Sequence, residues 1–165
     1  MSIRSGIGYD SHRLVAGRPL ILGGVELEAE RGLAGHSDAD ALAHAVIDAL
    51  LGAAGLGDIG MHFPDTDQRY RDADSLVLVA QAAALVRGAG FELVNVDATV
   101  VMERPKLGVA RAQMCERLAD ALGVAAGDVN IKASTGEGIG FVGREEGVAV
   151  IAIASLRRER PGDDD

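Results

Sequence analysis

The sequence predicts an α+β protein, a mixed β-sheet with helices packed on one of its faces. Three stretches carry that expectation. Residues 39–54 are rich in Ala and Leu and apolar nearly all round at helical spacing, the mark of a buried helix. Residues 91–103 alternate, with Val94, Val96, Ala98, Val100 and Met102 on one side and Asn95, Asp97 and Thr99 on the other, as a half-buried strand does. Residues 147–156, GVAVIAIASL, are apolar on both faces, which places them at the centre of a sheet or beneath another subunit.

In chain order, Ile3 to Asp10 reads as a first strand that Gly6 and Gly8 weaken. Leu20–Leu22 and Val25–Leu27, joined by Gly23-Gly24, read as a hairpin with a two-residue turn. Ser37 or Asp38 is the expected N-cap of the helix running from about Ala39 to Ala54. A loop of about twenty residues dense in Gly, Asp and Pro follows, a length more often functional than idle in a compact domain. Asp74 or Ser75 caps a second helix to about Arg87, closed by Gly88 and Gly90. After the alternating strand, Pro105 forces a stop, and Gly108 to Leu122 forms an amphipathic helix with Ala112, Cys115, Ala119 and Leu122 inward. Val129 to Ala133 is a strand. The organisation expected is one domain over residues 1–157 and a disordered acidic tail over 158–165, which has no core to join.

Composition narrows the function. A hydrophobic content of 48% in 165 residues is that of a globular chain. No run approaches the roughly 18 apolar residues of a membrane span, and no signal segment precedes Ile3, so a soluble cytoplasmic protein is expected. A net charge of −9 and an aromatic content of 3% without Trp argue against nucleic acid as a partner. The single cysteine, Cys115, excludes a disulfide framework or a Cys-rich zinc site, so any zinc must be held by imidazole and carboxylate.

Such a set is present. In the helix at 39–54 the one polar stripe is Asp40, His44 and Asp48 at i, i+4 spacing, and buried polar groups must be paired or hold a cation. In the extended segment Gly8-Tyr9-Asp10-Ser11-His12, the i, i+2 spacing turns Asp10 and His12 to one face. Joined by His44, they make an Asp-His-His set with one tetrahedral position open, as in catalytic zinc; Asp40 or Asp48 can orient the second nitrogen of His44. A second constellation, Lys132 to Arg144, contains GxGxxG and near-Walker spacing, but a strand follows where both motifs need a helix. It leaves free amides, the hydroxyls of Ser134 and Thr135, Glu137 for a hard cation and Arg144 for phosphate. The third, Asp58 to Asp67, offers three carboxylates suited either to hydroxyl recognition or to Asx turns, with His62 as a loop residue.

The motifs GYDSH (8–12), GGV (23–25), GHSDADALAHAVIDALLGAAGLGDIG (35–60), HFPDTD (62–67), ERPK (103–106) and DVNIKASTGEGIGFVGR (128–144) stand in collinear order from about Ile3 to Leu156. In these the chain resembles the 2-C-methyl-D-erythritol 2,4-cyclodiphosphate synthases of the non-mevalonate isoprenoid pathway. The resemblance implies a homotrimer with sheets packed around a three-fold axis and active sites between subunits. It puts zinc, or another divalent cation, on Asp10, His12 and His44, and Mg²⁺ or Mn²⁺ with the substrate diphosphate near Glu137. It puts a transition-state-stabilising pair on His36 and Thr135. Substrate contacts fall on Asp10, Ser11, His12, His36 and Ser37, then on Asp58, Ile59 and Gly60. They continue through Phe63, Pro64, Asp65, Thr66 and Asp67, and through Met102, Lys106 and Leu107 of the 102–108 segment. The last are Ala133, Ser134, Thr135, Glu137, Phe141 and Arg144. Gly136 departs from the pattern, standing where a hydroxyl residue is common.

The implied reaction is cyclisation of 4-diphosphocytidyl-2-C-methyl-D-erythritol 2-phosphate, by attack of its 2-phosphate on its own β-phosphorus, with release of CMP. Two anionic groups must be brought together, so positioning and charge neutralisation are the main tasks and no general base is needed. Two other readings compete: a zinc phosphohydrolase that activates water with the same ligands, using Asp40 or Asp48 as base, and a noncatalytic trimeric binder of isoprenoid diphosphates using Phe141 and Arg144 at the trimer axis.

Overall fold

The computed structural model describes residues 1–158. The first strand, β1 (Ser2–Ala16), is longer than the sequence suggests, since glycine does not end it. β2 (Leu20–Leu22) and β3 (Val25–Leu27) form the expected hairpin, with Gly23 and Gly24 at φ 57° and 71° as a two-residue turn of this kind requires. β4 (Arg31–Leu33), three residues without a period to read, was not foreseen; it pairs antiparallel with the end of β1.

α1 (Ala41–Ala54) begins two residues later than expected, because Asp40 rather than Ser37 or Asp38 is its N-cap and accepts from the Ala43 amide at 3.0 Å. The long loop after it contains a one-turn helix, α2 (Ile59–His62), and a 3₁₀ turn at Gln68–Tyr70. α3 (Ser75–Gly88) is capped by Asp74. β5 (Glu92–Val101) carries the alternating residues, with a register shift between Leu93 and Asn95 that leaves Val94 exposed and out of the inward row. α4 (Ala110–Leu122) buries Met114, Leu118, Ala119 and Leu122; Ala112, expected inward, is exposed and Cys115 half-buried, so the apolar stripe is rotated from its predicted position. β6 (Val129–Ser134), a one-turn helix α5 (Gly140–Gly143) and β7 (Gly147–Arg158) complete the chain. Arg158, assigned to the tail by the sequence, ends β7, and 159–165 lie outside the described residues.

The main sheet runs β4-β1-β7-β5-β6, mixed as predicted: β5 and β6 are parallel across the α4 crossover and the other pairs are antiparallel. β7 is central. Its inward side chains Val148, Val150, Ala152, Ala154 and Leu156 are buried beneath the helices. The opposite face is bare: Ile7 stands opposite Ile153 and Tyr9 opposite Ile151, and all four are exposed, as is Ile3.

Gly6 and Gly8 explain where α1 sits. A Cβ on Gly6 would lie 2.1 Å from the Ala49 carbonyl oxygen, and one on Gly8 would lie 1.8 Å from that of Ala45. The helix therefore rests on the strand backbone to backbone, with Ala45, the residue after His44, at the closest point. The other end is tied by Asp40, whose buried carboxylate also accepts from the Gly23 and Gly24 amides at 2.9 and 2.7 Å, fastening the hairpin to the helix.

Burial pushes the Asp40 carboxyl up to about 6, against the pull of these three N–H donors. A folded pKa above the unfolded one means that the associated stability is complete below about pH 4 and is lost as pH rises through about 6. Asp40→Asn cannot ionise. Its stability difference from wild type, measured by urea unfolding, is expected to shrink as pH is raised across that window; a difference independent of pH would refute the assignment.

Candidate metal centre

The outward-inward alternation of β1 turns Asp10 and His12 toward α1, where His44 projects back at them. Asp10 Oδ2 is 2.9 Å from His12 Nε2 and 3.1 Å from His44 Nδ1, and the two ring nitrogens are 3.2 Å apart. All three groups offer a ligand atom within 4.8 Å of the others, a spacing at which they can hold a metal ion. His12 Nδ1 donates to the Ala34 carbonyl at 2.6 Å, so in the neutral ring its Nε2 lone pair faces the shared point. Burial alone would lift the Asp10 carboxyl, but hydrogen bonds and charge from His12 and His44 outweigh it and bring it to about 2. Burial opposes charging of His12, yet the Asp10 hydrogen bond and charge raise it above the ordinary imidazole value. The donor set of one carboxylate and two imidazoles fits a divalent cation of the zinc type.

The stripe on α1 is used differently from the sequence expectation. Neither Asp40 nor Asp48 reaches His44: Asp40 is spent on capping and on the hairpin, and Asp48 accepts from the Ile59 amide at 2.7 Å, fixing the start of α2. Instead, His44 Nε2 meets the hydroxyls of Ser75 at 2.9 Å and Ser37 at 3.1 Å. Ser75 was foreseen only as a possible helix cap. It lies 31 positions from His44, and no local period links the two.

The three ligands open into a cavity of about 430 Å³ walled also by His36, Ser37, Ile59, Gly60, Phe63, Pro64 and Asp65. Phe63 and Tyr70 meet edge to face there, with ring centroids 5.6 Å apart. His36 Nε2 donates to the Asp67 carbonyl at 3.3 Å and is not one of the clustered ligands. Of the acidic loop residues, Asp58 caps α2 through the Met61 amide at 3.0 Å, and Asp67 accepts from the Arg69 amide at 2.9 Å in an Asx turn while pairing with the Arg69 guanidinium at 2.6 Å. His62, expected in the loop, is the last residue of α2 and donates to the Leu56 carbonyl at 2.8 Å.

The remaining predicted residues lie elsewhere on the chain. Met102, Lys106, Leu107, Ala133, Ser134 and Thr135 line a second cavity of about 320 Å³ between the end of β5 and the end of β6. Glu137, at φ 52°, is exposed beyond it, its amide bonded to Thr135 Oγ1 at 3.2 Å. Ser11 and Phe141 border a third, shallow cavity of about 190 Å³. Arg144 is bound to Glu146 at 2.7 Å.

Fold and centre together define a small α+β protein with an Asp-His-His metal-binding group where a helix crosses the first strand. The chain belongs to the YgbB family, whose profile matches residues 3–157. It is 58% identical over 155 residues to the 2-C-methyl-D-erythritol 2,4-cyclodiphosphate synthase of Bordetella petrii, covering 94% of this chain and 96% of that protein. It is 56% identical over 158 residues to the bifunctional enzyme IspD/IspF of an Anaeromyxobacter species, covering 96% of this chain but 41% of that protein's length. Among solved structures, a 2C-methyl-D-erythritol-2,4-cyclodiphosphate synthase in a CDP-bound form superposes with a TM-score of 0.85 at 39% identity, covering 93% of this chain and all of the other. No helix among the described residues is long and apolar enough to cross a membrane.

Proposed function

We propose that the chain is a cytoplasmic phosphorus–oxygen lyase, its catalytic domain spanning residues 1–157. It converts 4-diphosphocytidyl-2-C-methyl-D-erythritol 2-phosphate to 2-C-methyl-D-erythritol 2,4-cyclodiphosphate and CMP. The observation that carries the reading is the convergence of Asp10, His12 and His44 at the mouth of a cavity with polar groups to hold an alcohol and a phosphate. Asp10, His12 and His44 would hold a divalent cation of the zinc type, which would supply Lewis acidity toward phosphate, and Glu137 would help to hold Mg²⁺ or Mn²⁺, which would offset charge on the leaving group. His36 holds the attacking 2-phosphate, and Ser37 with the Asp58–Gly60 turn and the 63–67 segment orients the erythritol hydroxyls. An oxygen of the 2-phosphate forms a bond to the β-phosphorus as the bond from that phosphorus to the bridging oxygen breaks, and the electron pair leaves with CMP. Thr135 steadies the diphosphate in that step. The 102–108 segment with Lys106, together with Ala133 and Ser134, forms the cytidine pocket, in keeping with the CDP present in a structural neighbour.

In one chain the metal cavity and the nucleotide cavity have no lining residue in common. A homotrimer that buries the bare face of the sheet brings the metal cavity of one protomer to the nucleotide cavity of the next. Ile3, Ile7 and Tyr9, 67%, 70% and 55% exposed, make that face a poor surface to leave in water. Phe141 and Arg144, close to the start of β7, then lie toward the three-fold axis, where an isoprenoid diphosphate is the expected additional ligand.

The test is incubation with the diphosphocytidyl substrate, followed by phosphorus NMR with and without chelator. Metal-dependent appearance of CMP and a cyclic diphosphate is expected. Release of inorganic phosphate would establish the phosphohydrolase instead, and an unchanged ligand would leave only a binder.

A further inference from the structure

The bonds around His44 raise a question that the ligand set alone does not answer: what decides which of its two nitrogens carries the proton. His44 Nδ1 faces Asp10 and His12, and it can bind a cation only as a lone pair. Its Nε2 faces two hydroxyls, and a hydroxyl can donate or accept. If a hydroxyl donated to Nε2, the ring proton of the neutral imidazole would sit on Nδ1, pointing into the metal position.

Ser75 is prevented from doing so. Its Oγ donates to Asp38 Oδ1 at 2.5 Å, a short charge-assisted bond, and its backbone amide donates to Asp38 Oδ2 at 3.1 Å. Asp38 is itself fixed, with Oδ1 accepting the Asp40 amide at 3.2 Å and the Asp38 amide bonded to the Ala73 carbonyl at 3.1 Å. With its hydrogen committed to a carboxylate, the fully buried Ser75 oxygen has only lone pairs to offer His44, 2.9 Å away. Ser37 lacks such a constraint. Its Oγ accepts from the Ala39 amide at 3.2 Å and no carboxylate takes its proton among the described contacts, so it can serve either tautomer.

We propose that Asp38 and Ser75 are positioning residues for the metal centre: together they hold the His44 proton on Nε2 and so present the Nδ1 lone pair to the point shared with Asp10 and His12. The inference rests on the metal-centre reading but concerns residues that the ligand set does not include. It matches the general rule that a ligating imidazole is oriented through its other nitrogen, here by a hydroxyl relayed to a carboxylate instead of the carboxylate directly.

The test uses the full chain in two measurements. Long-range proton–nitrogen NMR of the metal-free protein reads the Nε2 proton directly: wild type is expected to show His44 protonated on Nε2, whether or not Asp10 also draws a proton to Nδ1, and Ser75→Ala to show that nitrogen partly deprotonated. Zn²⁺ affinity by competition with a chromophoric chelator is expected to fall by about 10- to 100-fold in Ser75→Ala. Asp38→Asn keeps an acceptor for the hydroxyl but removes its charge, and is expected to show a smaller fall in the same direction. Circular dichroism of each variant checks that the fold is kept, and if Ser75→Ala fails this check, the wild-type tautomer and Asp38→Asn decide. Unchanged Nε2 protonation and affinity in the folded variants, or an Nε2 without a proton in wild type, would overturn the inference while leaving the metal centre standing. Wild type that takes up no Zn²⁺ at these ligands would overturn the centre itself and this inference with it.

Discussion

Asp10→Ala is expected to abolish turnover in a chain that still folds. Asp10 is the only carboxylate of the cluster, and its oxygen is within 3.1 Å of both imidazole nitrogens, so its loss leaves two neutral ligands and no charge to balance a dication. Loss of a direct ligand should weaken Zn²⁺ binding by more than the roughly 100-fold that follows loss of an outer partner. With it goes the Lewis-acid stabilisation of several kcal/mol, about a thousandfold or more in rate. The fold is expected to survive because Asp10 faces a cavity, not the apolar core. Metal titration and turnover of the purified variant check this together, and wild-type turnover with full metal occupancy would remove Asp10 from the ligand set.

Gly8→Ala is expected to be the most destructive single methyl group at any glycine among the described residues. The added carbon would lie 1.8 Å from the Ala45 carbonyl oxygen, where the obstacle is helix backbone and cannot rotate away. Either α1 lifts off β1 or the strand bends, and over-packing of this severity costs more than about 3 kcal/mol. Ala45 adjoins His44, so any surviving folded population should also bind metal poorly. Thermal denaturation against an exposed control such as Gly52→Ala, whose added carbon meets nothing within 4 Å, separates the steric effect from loss of glycine as such. A melting temperature within a degree of wild type would show that the two backbones have room to spare.

These two positions also show what the sequence could and could not disclose. Asp10 and His12 were legible because strand geometry is local: two residues apart means one face. His44 was legible because a polar residue in an otherwise apolar helix must have a reason to be there. Asp40 and Asp48, on the same stripe, were misread for the same reason. The stripe identifies buried polar groups but not their partners, and both carboxylates turned out to hold backbone amides. Asp38 and Ser75 were legible only as candidate helix caps, since their contact spans 37 positions and arises only when α3 docks beside α1. In the sequence alone, Gly6 and Gly8 count against the first strand. They weaken it as an isolated segment, and only the docked helix shows why no side chain is tolerated there.

That docking has a bearing on how freely the rest of the interior can vary. The height of α1 above the sheet is set by main-chain atoms touching main-chain atoms, a stop whose dimensions do not depend on which aliphatic residues fill the space around it. Changes of one methylene at Ile47 or Leu51, buried on the helix, alter local fit without resetting that stop. The distance from His44 to Asp10 and His12 is thus tied to main-chain contact at Gly6 and Gly8 before it is tied to the volumes of the core side chains.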